Sequence, residues 1–163
     1  MKTNHSLKSK KPLKAKVSLK AKAKPKKQVK PSVSKLKKEA DKWHSLAVRL
    51  SEADKDEMVA CITCERLNHY KKMQCGHFMS RQHNTTRYHF KNTAPQCYGC
   101  NVMQQGKQYE FGRALDERYG EGTALAMYYL SRNSHQLSES ELQEIIQQRK
   151  ELVSKYSNDK DRG

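Results

Sequence analysis

Four of the five cysteines fall in two pairs, Cys61-Ile62-Thr63-Cys64 and Cys97-Tyr98-Gly99-Cys100, with 32 residues between the inner members. Two residues between thiolates let a tight turn aim both sulfurs at one ion. Two such turns supply the four ligands that tetrahedral zinc takes. The folding argument agrees with the ligand argument: residues 61–107 are too polar to bury much apolar area, so a metal staple is expected. Disulfides or a dithiol redox centre are the alternatives. The odd cysteine count and the lack of an apolar leader argue against the first, and the missing βαβ pattern argues against the second. Cys75 is left over and reads as a small buried hydrophobe.

Between the pairs lie His77, His83, His89 and Asn101, surrounded by Lys71, Lys72, Arg81, Arg87 and Lys91. A zinc with four thiolates has no open position, so chemistry here needs a second, hard cation and a separate base. Histidine is the natural base near neutral pH. A divalent ion held by side-chain oxygen could grip a scissile phosphate and stabilise the leaving oxygen. Asn101 follows a cysteine of the second pair at the expected start of a helix, rigidly placed to offer such an oxygen. His83 and His89 read as hydrogen-bonded structural residues.

The charge pattern points to a polyanion. The chain has 163 residues and a net charge of +16. Residues 1–38 hold fifteen Lys and no acid, while the other 125 residues carry eighteen basic and seventeen acidic side chains. Residues 1–38 have nothing large to bury and repel themselves, so disorder is expected there. Lysines in such an arm displace counterions from phosphates, giving salt-sensitive affinity without sequence preference. A merely solubilising tail is the alternative. A second basic excess covers residues 61–107, with seven Lys or Arg against Glu65 alone. No stretch reaches the 18 or more apolar residues of a membrane span, and no Gly-rich phosphate loop is present.

The elements that must position these residues are short. Leu36, Ala40, Trp43, Ala47 and Leu50 recur at spacings of three and four, which predicts a helix over 35–55. Short strands and turns are expected from Met58 to Asn101, then a helix from Asn101 to Tyr119 with Gly120 as its C-cap. Thr123–Arg132 reads as another helix. Ser138 and Glu141 form a capping box ahead of a last helix to about Tyr156, with Leu142, Ile145, Ile146, Leu152, Val153 and Tyr156 on its apolar face.

His77, Asn92 and Asn101, framed by the two cysteine pairs, resemble the HNH (ββα-metal) nucleases in the version with a four-cysteine zinc site. That resemblance implies His77 as general base on the first strand of a hairpin, Asn92 as the residue fixing the connecting loop, and Asn101 as a ligand of a catalytic Mg²⁺ or Mn²⁺. The string CGHFMSR, then Arg87, Asn92, QCYGCN and Gly106, with Trp43-His44-Ser45 and Val48-Arg49-Leu50 upstream, is similar to the phage lambda NinG (Rap) recombination family over roughly residues 36–130. The fold class implied is α+β. A disordered basic tail (1–38) and an N-terminal helix (39–57) precede a zinc-bound, treble-clef-like core (58–120), and a helical extension (121–163) follows it. The family implies a phage endonuclease acting on branched DNA such as Holliday junctions and D-loops, in the cytoplasm of an infected or prophage-carrying cell. Phage or host recombination proteins, and a second copy of the chain for paired cuts, are the partners it suggests; no membrane is expected.

One departure stands out. Many HNH enzymes carry an Asp before the catalytic His, where this chain has Gly76. Either Asn101 works with His side chains, Gln74 and water, or a ligand such as Glu110 comes from elsewhere, or the site is weak. Two functional readings follow. In the first, the chain is an HNH endonuclease with His77 as base and phosphates positioned by Arg81 and Arg87. In the second, it is a non-catalytic zinc-stapled module that only binds nucleic acid or tethers a recombination partner.

Overall fold

A computed structural model of the chain describes Met1 and residues 31–160, with side chains through Asn158. The chain divides at residue 30, and the body runs from Pro31 onward. The expected disorder of the basic tail falls, up to residue 30, outside the described residues.

The first helix, α1, spans Val33–Ser51. Pro31 precedes it, and Ser32 stands at its N-cap in extended geometry. The helix therefore takes in residues 33–38, which the charge pattern assigns to the tail. Apolar spacing governs here: Leu36 continues the stripe of Ala40 and Trp43 and packs with them on Leu142 and Ile146. Those two belong to α4 (Glu139–Lys160). Its N-terminus is the expected capping box, with the Ser138 N–H donating to Glu141 Oε2 at 2.8 Å and the Glu141 N–H to Ser138 Oγ at 3.3 Å.

Between these helices lie two small antiparallel sheets. Strands β1 (Met58–Ala60) and β2 (Leu67–His69) form one, and the Cys61–Cys64 turn lies in the loop between them. Strands β3 (Gln74–His77) and β4 (Thr93–Gln96) form the other, with His77 opposite Thr93 and Gly76 opposite Ala94. The second cysteine pair follows β4 directly. Helices α2 (Gln108–Tyr119) and α3 (Thr123–Ser131) come next. Phe111 and Leu115 of α2 pack on Ala94 and Ile62, fixing α2 to the β3–β4 hairpin. Gly120 caps α2 as expected, with φ +102°.

The expected helix from Asn101 to Tyr119 is in fact two segments. Gly99–Met103 makes one wide π-type turn, and α2 starts only at Gln108. Between them Gln105, Gly106 and Lys107 all have positive φ. The break satisfies backbone groups that a continuous helix would not reach: Gly106 N–H donates to the Cys100 carbonyl, and its own carbonyl accepts from Gln96 Nε2. Among the described residues no helix is long and apolar enough to cross a membrane.

Candidate metal knuckle and cleft

The four paired cysteines converge. Their sulfurs all lie within 4.8 Å of one another, and Cys64 Sγ stands 3.8 Å from Cys97 Sγ. A tetrahedral zinc with Zn–S bonds of about 2.3 Å has S–S edges of about 3.8 Å. The cluster is thus positioned to hold a metal ion, and its all-sulfur chemistry suits structural zinc. Cys61 is fully buried beside Val59, Met73 and Cys100. Burial opposes its ionisation, but the Cys97 N–H at 3.3 Å and the Thr63 hydroxyl at 3.4 Å bring its pKa down to about 6. Zinc takes its cysteine ligands as thiolates, so metal binding would release protons from the knuckle, where desolvation raises the Cys64 and Cys100 thiols.

A cleft of about 660 Å³ opens next to the β3–β4 hairpin. Its walls are Asp41, Ser45 and Arg49 from α1, Gln74, Cys75 and His77 from β3, Arg81 from the loop, and Asn101 and Gln108 beyond the knuckle. His77 and Asn101 therefore share one cavity.

His77 closes β3 with Nε2 3.2 Å from the Arg87 carbonyl and Nδ1 3.3 Å from the Cys75 carbonyl. A neutral ring has one N–H for two acceptors. Whichever nitrogen donates to its carbonyl leaves the lone pair on the other. Burial is the main influence on its pKa and lowers it, with help from the Arg81 charge, against the two carbonyls and Asp41. Asn101 Nδ2 donates to Gln74 Oε1 at 2.5 Å. That bond orients the amide and leaves Asn101 Oδ1 as an oxygen donor without a hydrogen bond among the described residues. Asn92, fully buried, spans the loop between the strands. Its Oδ1 accepts from Met79 N–H at 2.7 Å, and its Nδ2 donates to the carbonyls of Met79 and Thr86 at 3.0 and 3.1 Å.

The basic residues do not gather as one patch. Arg81 lines the cleft. Arg87 is engaged: its Nε and second amino group grip both Asp41 oxygens at 2.9 and 2.6 Å, and its other amino group donates to the Arg81 carbonyl. Lys71 and Lys72 sit on the turn Tyr70–Lys72, and Lys91 lies 5.7 Å from the Tyr119 ring; none of the three lines the cleft. Glu110 stays outside as well, 3.5 Å from Lys107. His89 Nδ1 accepts the Lys91 N–H, a local capping bond, and His83 lies on a separate cavity with Asn84 and Ser131. Cys75 is half-buried in the cleft wall, and burial pushes its pKa up to about 12, so it stays a thiol.

Gly76 has a steric explanation. A Cβ there would stand 2.5 Å from Gln96 Oε1 and 2.9 Å from both Gln96 Cβ and Phe111 Cε2. Gln96 is itself fully buried and ties Thr63 of the knuckle (3.1 Å) to the Gly106 carbonyl (2.8 Å). Among the described residues its Oε1 has no hydrogen-bond partner.

Sequence reasoning missed the α1 wall. Asp41, Ser45 and Arg49 recur at i, i+4 and i+8 beside the apolar stripe, so one polar face was there to be read. It also missed a buried network behind His77. Arg149 Nε donates to His44 Nδ1 at 3.1 Å, His44 Nε2 to Thr93 Oγ1 at 3.1 Å, and the Thr93 hydroxyl to the His89 carbonyl at 3.2 Å. Arg149 also donates to the Tyr88 carbonyl and lies 4.5 Å from the Phe90 ring. Burial, followed by the Arg149 charge, lowers the His44 pKa to about 3. The unfolded chain binds this proton near pH 6.5, so stability is complete above pH 6.5 and falls as pH drops from there towards 3. The loss for His44 alone amounts to about 5 kcal/mol. Urea midpoints measured across pH should show it, and His44→Gln, which cannot titrate, should flatten the curve.

Set against known proteins, the chain matches one family model, described as Bacteriophage Lambda NinG protein, over residues 1–159. No curated protein and no solved structure matches it.

Proposed function

The chain belongs to the bacteriophage lambda NinG family, a phage recombination-related family, and from that premise we propose that it is a metal-dependent endonuclease of the HNH type acting on branched DNA. The observation that carries this reading is the placement of His77, with Nε2 3.2 Å from the Arg87 carbonyl, and Asn101 in one cleft. His77 takes the proton of the attacking water as its oxygen forms the new bond to phosphorus and the bond to the leaving oxygen breaks. Asn92 keeps the loop, and with it the Arg87 carbonyl, in place. Asn101 and Gln74 offer the oxygens that suit a hard divalent cation, and such a cation, when bound, polarises the phosphate and stabilises the leaving oxygen. Zinc in the four-cysteine knuckle is structural and clips the β1–β2 loop to the start of the π turn.

Branched substrates such as Holliday junctions and D-loops, and assembly as a dimer for paired cuts, are part of the same proposal. The experiment is cleavage of a labelled four-way junction and its matched linear duplex with Mg²⁺ or Mn²⁺. Cutting of the junction and not the duplex supports the reading. Binding without cutting under either metal would leave a zinc-stapled DNA-binding factor instead.

The lysine-rich segment contributes affinity of a different kind. Residues 1–30 hold twelve lysines. Deleting them, which leaves α1 whole, is expected to weaken DNA binding. The slope of log K against log salt should shrink by about 0.9 for each phosphate that the lysines no longer neutralise. Binding titrations at several salt concentrations read both effects, and an unchanged slope places the lysines off the phosphates.

A further inference from the structure

We propose that Asp41 is a carboxylate ligand for a divalent cation in the His77–Asn101 cleft, capped by Arg87 until a substrate phosphodiester draws that guanidinium away. The inference rests on the nuclease reading for its substrate but on separate observations for its residues.

Asp41 is the one carboxylate among the residues lining the cleft. Hard divalent cations are held by carboxylate oxygen more than by amides alone. The strand cannot provide one: it holds no acidic residue, and position 76 has no room for a side chain. The opposite wall, α1, is where a carboxylate can enter, and Asp41 stands there one helical turn before Ser45.

Arg87 masks that carboxylate with two bonds of 2.9 and 2.6 Å. The pair is partly open to solvent, with the Arg side chain 17% and the Asp side chain 23% exposed. Exchange of partners is therefore cheaper than for a fully buried pair. A phosphodiester presents the same fork-matching oxygens to a guanidinium as a carboxylate does. When Arg87 turns to phosphate, Asp41 gains a free charge in a cavity that also holds Asn101 Oδ1. The cation then replaces the charge that Arg87 had supplied. The Arg87 backbone stays with His77 throughout, since its carbonyl holds Nε2. Cation and phosphodiester thus bind cooperatively, each strengthening the other by the same factor.

The test measures Mn²⁺ binding to the full-length, zinc-loaded protein by the loss of the free Mn²⁺ EPR signal in phosphate-free buffer. Zinc content and melting temperature are checked for every variant. Arg87→Ala should tighten Mn²⁺ about tenfold by unmasking Asp41, and adding Asp41→Asn should abolish that gain. Arg81→Ala removes a charge from the same cleft without freeing a carboxylate, and so sets the electrostatic baseline. A dithymidine dinucleotide, which carries one phosphodiester, should tighten Mn²⁺ in the wild type and not in Asp41→Asn. Equal affinity in Arg87→Ala and in the double variant, a gain no larger than that of Arg81→Ala, or no Mn²⁺ binding at all would overturn the proposal. The two readings separate cleanly. This Mn²⁺ pattern without junction cleavage keeps the masked ligand and removes the nuclease, whereas cleavage that Asp41→Asn leaves intact keeps the nuclease and removes the ligand.

Discussion

Stripping zinc from the four-cysteine knuckle is expected to unfold residues 58–107. Apparent binding energies of structural zinc run to about 10–16 kcal/mol, as large as or larger than the whole stability of an ordinary domain at about 5–15 kcal/mol. The local core offers little in reserve. The buried cluster around the knuckle is Val59, Cys61, Met73 and Cys100, so two of its four members are ligands. The contact of α1 with α4 is different: Leu36, Ala40, Tyr88, Leu142 and Ile146 form a cluster with no zinc ligand in it. Chelation should therefore remove the tertiary signals of the hairpins while leaving part of the helical circular dichroism. Any one Cys→Ser change in the knuckle should do the same. A metal-free protein with its native spectrum and a cooperative melt would show that the sulfurs are not a staple.

Replacing His77 with Ala is expected to lower junction cleavage by about 10²–10⁴-fold, the usual contribution of a positioned base. Folding should persist, because among the described residues the ring meets two backbone carbonyls and the His44 ring at 6.5 Å, and it stands outside the four-cysteine cluster. The pH profile adds a sign. The neutral ring is the active form, and burial holds its pKa below the ordinary 6.5. Activity from His77 should therefore already sit on its plateau at pH 7 and decline only in acid, about tenfold per unit below the folded pKa. A profile whose acid limb lies above pH 6.5, or a His77→Ala enzyme with wild-type single-turnover rates, removes His77 as the base.

What can be read in the chain and what cannot follows from the range of the interactions. The knuckle is legible because its chemistry is written in the spacing of its ligands. The capping box at Ser138 and Glu141 and the cap at Gly120 are legible for the same reason: each acts over a few residues. The helix from Asn101 to Tyr119 reads as continuous because nothing local forbids it. Gln96 and Cys100 break it by claiming both backbone groups of Gly106. Arg87 reads as a phosphate contact from its charge, but Asp41, 46 residues away, already holds it. His44 and Arg149 are 105 residues apart and meet only when α4 packs on α1. Of the candidate site, His77 and Asn101 can be picked out by type and position; the wall that faces them cannot, because a helix face acquires its partners only in the folded chain.

The crowding at Gly76 has a consequence for how this sequence can change. An acid at position 76 would need room made at both 96 and 111 in the same step, since the added Cβ falls within 3 Å of Gln96, its Cβ included, and of Phe111. Loss of Gln96 would in turn free Thr63 from the Gly106 turn and leave that carbonyl unsatisfied, a defect of about 1–3 kcal/mol. Each single change is thus harmful alone, and positions 76, 96 and 111 constrain one another. A lineage that carries glycine here is held on its own side of that barrier.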